Sequence, residues 1–149
     1  MIQPLDKTNL PWPLLLDADP DLEKVKSYIA SSEGIIWKED QMTLGVLIYQ
    51  NQQTQFEIMN VAVAPAVQSR GIGSKLIDAA FAQMAAEKTT QEKIIIRTGS
   101  ITSAALHLYK KKGFIEIARE KDYFLKNYAE PIYEDGQLLK DQVTLAVKL

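Results

Sequence analysis

The sequence predicts an α/β (α+β) domain with helices packed on a mixed sheet, and three observations carry that prediction. Phe56 to Val63 alternates as a half-buried strand does. The glycine-bearing segment Gln68 to Gly73 follows it and opens an amphipathic helix. Ile94-Ile95-Ile96 is apolar on both faces, the mark of an interior strand in a covered sheet, and a further helix after it stops at Gly113. Strands and helices in this order make a layered domain.

Element by element, the chain begins with Pro4, Pro11, Pro13 and Pro20, which suit a short edge strand and turns rather than a long helix. Asp19-Pro20-Asp21 offers a cap, a proline for a first helical turn and an acidic start. Leu22, Val25, Tyr28 and Ile29 then form the apolar stripe of a helix ending near Gly34. Ile35-Ile36-Trp37 and Met42 to Tyr49 read as strands, with Gln50 to Gln53 as a polar turn. Within the Phe56–Val63 strand, alternation puts Glu57, Met59, Val61 and Val63 on one face and Phe56, Ile58, Asn60 and Ala62 on the other. The next helix runs to about Lys88 and buries Leu76, Ile77, Ala80, Phe81 and Met84. The last helix spans roughly Thr102 to Lys112, and Phe114 to Ala118 and Val143 to Leu149 are late strands joined by a tyrosine-rich, loop-like connection. No repeat, linker or low-complexity tract interrupts the 149 residues, so they form a single domain, 1–149.

Composition removes whole classes of function. Seventeen Lys+Arg against nineteen Asp+Glu give a formal charge of -2, with no basic footprint for nucleic acid. Zero cysteines exclude a disulfide framework, thiolate metal sites and a cysteine nucleophile. The lone His107 leaves a metal centre short of ligands and argues against a Ser/His/Asp hydrolase, so no metal is expected. Neither a signal peptide nor a membrane span is recognisable, and the expectation is a cytoplasmic protein without a membrane partner.

The segment Gln68-Ser69-Arg70-Gly71-Ile72-Gly73-Ser74-Lys75 joins a strong strand to a strong helix. Unpaired N–H groups and the dipole at a helix start attract phosphate, and glycines let it approach the main chain. The dinucleotide pattern fails at Leu76, and the Gly-Lys-Ser/Thr of a P-loop is absent. From the residues alone, a phosphate loop with Arg70 and Lys75 at its edge and a merely tight turn both stand.

Gln68-x-x-Gly71-x-Gly73 after Val61-Ala62-Val63 resembles the acyl-CoA pyrophosphate loop of the GNAT superfamily of N-acetyltransferases. Gly45 is similar to the glycine of that family's third strand, and Ala104 to Phe114, with Leu108-Tyr109 and Gly113-Phe114, resembles its final helix. The likeness covers approximately residues 42 to 118. It implies a mixed, mostly antiparallel central sheet flanked by helices, with acetyl-CoA as co-substrate. Val61 and Val63 would pair with pantetheine, and Gln68, Ser69, Arg70, Gly71, Ile72, Gly73, Ser74 and Lys75 would hold the pyrophosphate. Many members carry Asn where this chain has Thr98-Gly99-Ser100, and Ser100 offers only a hydroxyl in its place. The family often forms homodimers through its late strands.

Amide formation from a thioester needs a base for the amine, donors for the oxyanion and an acid for the leaving thiolate. Without cysteine no thiol-bound acyl-enzyme can form, so direct attack in a ternary complex is the simplest route. Glu57 is the candidate base: it is the one ionisable residue of its strand, eleven positions before Gln68, at a spacing similar to the glutamate of some histone-type members. Alternation would set it among apolar neighbours beside Val61 and Val63; the opposing readings are a solvated strand end and a water chain as the base. Tyr109 matches the family tyrosine that donates toward sulfur, against the commoner fate of a core tyrosine. A backbone N–H near Val61 would serve the oxyanion. Lys110-Lys111-Lys112 offsets a helix dipole, with a coenzyme phosphate as a second use. Tyr123, Phe124, Tyr128 and Glu130 are read as a wall of the acceptor pocket, with Glu134 and Asp135 also favouring a cationic amine. A packed cover over the sheet is the other reading. The function expected is therefore acetyl transfer to a small-molecule or peptide amine, with a catalytically weak CoA-binding module as the alternative.

Overall fold

In the computed structural model, which describes residues 1–101 and 103–149, seven strands form one sheet in the order β1-β2-β3-β4-β5-β9-β6. The strands are β1 (Ile2–Pro4), β2 (Glu33–Glu39), β3 (Met42–Asn51), β4 (Phe56–Val63), β5 (Lys93–Gly99), β6 (Ile115–Glu120) and β9 (Gln142–Lys148). Every neighbouring pair is antiparallel except β4 and β5, so the sheet is mixed and mostly antiparallel. One face carries α3 (Ile72–Glu87) and α4 (Ala104–Lys111); the other carries α1 (Trp12–Ala18) and α2 (Leu22–Ile29). Leu47, Phe56, Leu76 and Ile94 anchor the first core, and Leu15, Val25, Val46 and Ile48 the second. Each such side chain contributes about 1.5–3 kcal/mol by leaving water. Among the described residues no helix is long and apolar enough to cross a membrane.

The two ends of the chain depart most from expectation. Trp12–Ala18 is helical despite Pro11 and Pro13, because both prolines fall at the helix start, where the missing N–H would have had no partner. Helix α2 begins at its Asp21 cap, whose side chain accepts from the Lys24 N–H at 3.1 Å, but it ends at Ile29. Gly34 belongs to β2 instead, and Gln50 and Asn51 extend β3. Helix α4 starts at Ala104 with Ser103 as its cap, and the expected start at Thr102 lies outside the described residues. The tyrosine-rich connection holds a short helix, α5 (Tyr123–Asn127), and a hairpin of β7 (Tyr133–Glu134) with β8 (Gln137–Leu138).

Two local features shape the centre. Gly45 lets α3 lie close on β3, since a Cβ there would stand 3.0 Å from both Ile72 Cγ2 and Leu76 Cδ1. In β4 the register slips: Ile48 pairs with Asn60 but Tyr49 with Ile58, leaving Met59 as an extra residue, a β-bulge. The bulge overturns the strict alternation expected of this strand. Phe56 and Ile58 share a core with Val61 and Val63, while Met59 and Ala62 pack in the core on the opposite face.

Candidate active site

The site lies where β4 and β5 part. Their parallel pairing covers only Phe56–Ile58 against Ile94–Ile96, and beyond Ile58 the edge of β4 facing β5 has no partner strand. Two cavities open on this gap.

The larger cavity, of about 870 Å³, runs along Val61 and Val63, the loop into α3, and the flank of α4. The loop is pinned by Gln68, whose Nε2 donates to the Val63 carbonyl at 3.1 Å. Ser69 and Gly71 both have positive φ, 72° and 81°, so the chain folds tightly just before the helix. For Ser69 this left-handed geometry costs roughly 1–2 kcal/mol, a strain of the kind found at ligand clamps. The first intrahelical bond of α3 is Lys75 N–H to Gly71 O at 3.1 Å, so the N–H groups of Ile72, Gly73 and Ser74 lack partners within the helix. No side chain caps them and no acid sits in the first turn. This end carries the positive pole of a sixteen-residue helix. The cavity is polarised along α4, which is about 12 Å long at 1.5 Å per residue. Lys111 and Lys112 line it at the end of the helix, and Asp17, Glu134 and Asp135 near its start.

Gln68, Ser69, Gly71, Ile72, Gly73 and Ser74 line this cavity as the sequence implies, but their basic neighbours do not. Arg70 Nη2 reaches both oxygens of Glu39, at 3.1 and 3.2 Å, and Lys75 Nζ stands 5.1 Å from the centre of the Trp37 ring. The Glu39 carboxyl, held below its ordinary range first by Trp37 and then by Arg70, is the partner that turns Arg70 away. Ser100 lines neither cavity; its N–H donates to the Asp141 carbonyl at 3.1 Å. Unpaired helix N–H groups, glycines and lysines suit a pyrophosphate, so the residues present fit a CoA-type ligand.

Tyr109 lines the larger cavity from α4, its ring edge-on to Phe114 with centroids 6.2 Å apart. Burial, and then the nearby Glu134, push its phenol well above the usual tyrosine range, so it stays protonated and able to donate.

The smaller cavity, of about 260 Å³, lies on the α1/α2 side. Glu57 lines it but not the larger one, a correction to the face predicted for this residue. With the strand bulged at Met59, Glu57 is separated from Val61 and Val63. Nor is it set among apolar groups alone: Arg97 Nη1 donates to its Oε1 at 2.6 Å and Gln52 Nε2 at 2.9 Å. Tyr123, Phe124 and Tyr128 line this cavity, while Glu130 does not reach it. Lys24 ties this wall to α2, donating to the hydroxyls of Tyr128 (3.1 Å) and Tyr123 (3.3 Å). Burial works against its charge, yet those phenols and Asp19 outweigh it and hold the ammonium well above the usual lysine range. Tyr28, buried beside it and bonded to Asn60, is pushed up to about 12 by burial. Lys24, Tyr28 and Arg97 escaped the sequence reading, since each is an ordinary residue of a helix or strand until distant elements meet. Among the described residues no group of His, Asp or Glu could hold a metal ion.

Comparison with known proteins agrees with this geometry. Residues 29–116 match the model of the acetyltransferase (GNAT) domain. The chain is 33% identical over 139 residues to the uncharacterised N-acetyltransferase YvbK of Bacillus subtilis (strain 168), covering 93% of this chain and 88% of that protein. A GNAT-family acetyltransferase of Elizabethkingia anophelis, solved with acetyl-CoA bound, superposes with a TM-score of 0.91 at 32% identity, covering 100% of this chain and 97% of that one. A Bacillus subtilis acetyltransferase solved in complex with CoA gives 0.89 at 31% identity, covering 99% and 97%. The loop at the start of α3, the parted strands and the extent of these matches lead to one conclusion: the chain belongs to the GNAT family of acetyltransferases.

Proposed function

We propose that this acetyltransferase moves the acetyl group of acetyl-CoA onto the nitrogen of a primary amine, by direct attack in a ternary complex. The observation that carries the reading is the pair of cavities meeting across the gap between β4 and β5, one suited to CoA and one walled by aromatic and charged groups. Two substrates entering from opposite sides of the sheet can meet in that gap without a covalent enzyme intermediate. The cofactor's relation to this chain is supported by its relatives solved with acetyl-CoA and CoA.

Acetyl-CoA supplies an activated thioester. The chain would hold its pyrophosphate on the N–H groups of Ile72, Gly73 and Ser74, with Lys111 adding positive charge along the cavity while Lys112 is paired with Asp78 at 2.8 Å. The free edge of β4 at Val61 and Val63 would take the pantetheine and offer an N–H to the oxyanion. Tyr109, kept protonated by burial, would donate to the departing sulfur. The Glu57–Arg97 pair, with Tyr123, Phe124 and Tyr128, would bind the acceptor. The same reading puts the reaction in the cytoplasm.

The test is calorimetry with acetyl-CoA, followed by thiol release on a panel of polyamines, aminoglycosides, amino acids and peptides with free N-termini. Binding at micromolar concentrations with thiol release on at least one amine is expected. Binding without release on any of them would leave a CoA-binding module. Absence of binding would remove both readings.

A further inference from the structure

Two cavities that exchange an acetyl group must share a throat, and among the described residues those bordering both are Ala18 and Glu134. Ala18 carries no titratable group. Building on the transferase reading, we propose that Glu134 is the catalytic base that takes the proton of the attacking amine at this throat.

Three observations support the assignment. First, Glu134 Oε2 is buried with no hydrogen-bond partner among the described residues, whereas Glu57, the other carboxylate near the reacting strand, is engaged by Arg97 and Gln52. Burial of an oxygen without a partner favours the neutral carboxyl, so a proton delivered to Glu134 is held there, and both cavities lined by this residue bring a ligand up to it. Second, its position is fixed. Asp135 and Gly136 form the two-residue turn of the β7–β8 hairpin, both with positive φ (49° and 74°), and Glu134 faces Gln137 across it. Asp135 Oδ2 accepts from the Ala104 N–H at 3.3 Å, clamping the hairpin to the start of α4. The same helix carries Tyr109, so proton acceptor and proton donor are set by one element. Third, burial and the charged groups around Glu134 favour the carboxyl that holds a proton. Burial raises its carboxyl above the ordinary range against the pull of the Ser103 hydroxyl, and Asp135 on its own hairpin and Asp17 on α1 act in the same direction. Tyr109 faces it from α4, and Asp19, Lys24 and the Glu57–Arg97 pair lie around the smaller cavity.

The step balances. The amine nitrogen forms its bond to the acetyl carbon, the carbon–sulfur bond breaks and its electron pair goes to sulfur. One N–H proton passes to Glu134, the thiolate takes a proton from Tyr109, and the proton held by Glu134 restores the phenol, so both residues end as they began. No further reactant is needed.

The experiment compares the wild type, Glu134→Gln and Glu134→Asp in steady-state thiol release from pH 6 to 10, with acetyl-CoA affinity by calorimetry and thermal melting as controls. Glu134→Gln should lower kcat by roughly 10²-fold or more. It should also remove any contribution of a carboxyl to the acid limb of the pH profile, leaving there only the amine's own ionisation, at about pH 8 for an α-amine. Acetyl-CoA affinity and melting temperature should stay near those of the wild type, and Glu134→Asp should restore part of the rate together with its acid limb. A Glu134→Gln enzyme with the wild-type rate and profile would overturn the assignment, as would a loss confined to acetyl-CoA affinity. A wild type that binds acetyl-CoA but acetylates no amine would instead overturn the transferase reading itself, and the base with it.

Discussion

Gly73 offers a way to set stability against binding within one substitution. It occupies the first turn of α3, where no acid is present and where the proposed pyrophosphate would sit. A Cβ placed there lies 3.3 Å from Leu108 Cδ2 and 3.7 Å from Val63 Cγ2. The nearer contact is the flexible end of a leucine, so a few tenths of an ångström of movement admits a side chain and the fold survives. In Gly73→Glu the free helix gains from two sources: up to about 0.7 kcal/mol of propensity over glycine, and about 0.3–1 kcal/mol from an acid at a helix N-terminus. Together these come to roughly 1 kcal/mol, or about 2–4 °C in melting temperature for a chain of this size. Acetyl-CoA meets the opposite effect. A carboxylate about 5 Å from a phosphate charge costs roughly 0.8 kcal/mol in water-like surroundings and about 3 kcal/mol at an effective dielectric near 20. Taking about 2 kcal/mol, affinity falls around thirtyfold before steric exclusion is counted. Differential scanning fluorimetry without ligand and calorimetry with acetyl-CoA read the two effects separately. A variant that melts higher and still binds acetyl-CoA like the wild type would refute the assignment of the pyrophosphate to the start of α3.

Three further outcomes are expected. Tyr109→Phe should lower kcat about tenfold or more while leaving acetyl-CoA affinity within about twofold; a change in affinity alone would make Tyr109 a packing residue. Glu57→Gln removes one partner of the 2.6 Å pair with Arg97, and should raise the acceptor KM by roughly three- to tenfold with kcat and its acid limb retained. A lost acid limb there would return the role of base to Glu57. Glu87→Gln tests a site remote from the chemistry, where the Tyr49 hydroxyl bonds Glu33 at 2.7 Å and Glu87 at 3.0 Å. Burial, then Glu33, raise the Glu87 carboxyl above 4.5, so the stability it contributes is complete below that pH and is lost as pH rises through its folded value. The glutamine variant should therefore gain up to about 1–2 °C over the wild type near pH 8, from at most about 0.5 kcal/mol of relieved repulsion once water screens this exposed carboxyl, and nothing near pH 4.

The middle of the chain was legible because its signals are local. Periodicity marked α3, the all-apolar Ile94–Ile96 marked an interior strand, and Gly113, with φ at 99°, follows α4 as a C′ glycine does. What the sequence concealed depends on distant partners. Arg70 and Lys75 sit in the right segment, but whether a long cation turns to a phosphate, to Glu39 or to Trp37 is settled only when β2 comes alongside. The prolines near the amino end read as turns because proline forbids helix interiors, not helix starts. The hairpin at Tyr133–Leu138 did carry a legible signal, Asp135-Gly136, the dipeptide suited to a two-residue turn. The tyrosines around it drew attention to the acceptor wall instead.

The misplacement of Glu57 comes from a single residue, Met59, and the same residue accounts for how the site works. A strand with a strict two-residue period would put Glu57, Val61 and Val63 on one face and leave the other to a plain core. It would also keep β4 beside β5, closing the sheet at the gap where the proposed substrates would meet. The extra residue changes both at once. Past the bulge β4 no longer pairs with β5, so a main-chain edge is exposed at Val61 and Val63 for one substrate. Before it, Glu57 and Arg97 face the other side of the sheet, where the second cavity lies. Asn60, just past the bulge, braces the distortion by donating to the Leu15 carbonyl at 3.0 Å and the Tyr28 hydroxyl at 3.1 Å, which ties β4 to α1 and α2. With β4 committed in this way, neither of its faces can place a carboxylate in both cavities. A base at the throat must come from outside the sheet, and the hairpin carrying Glu134 is the element that reaches it.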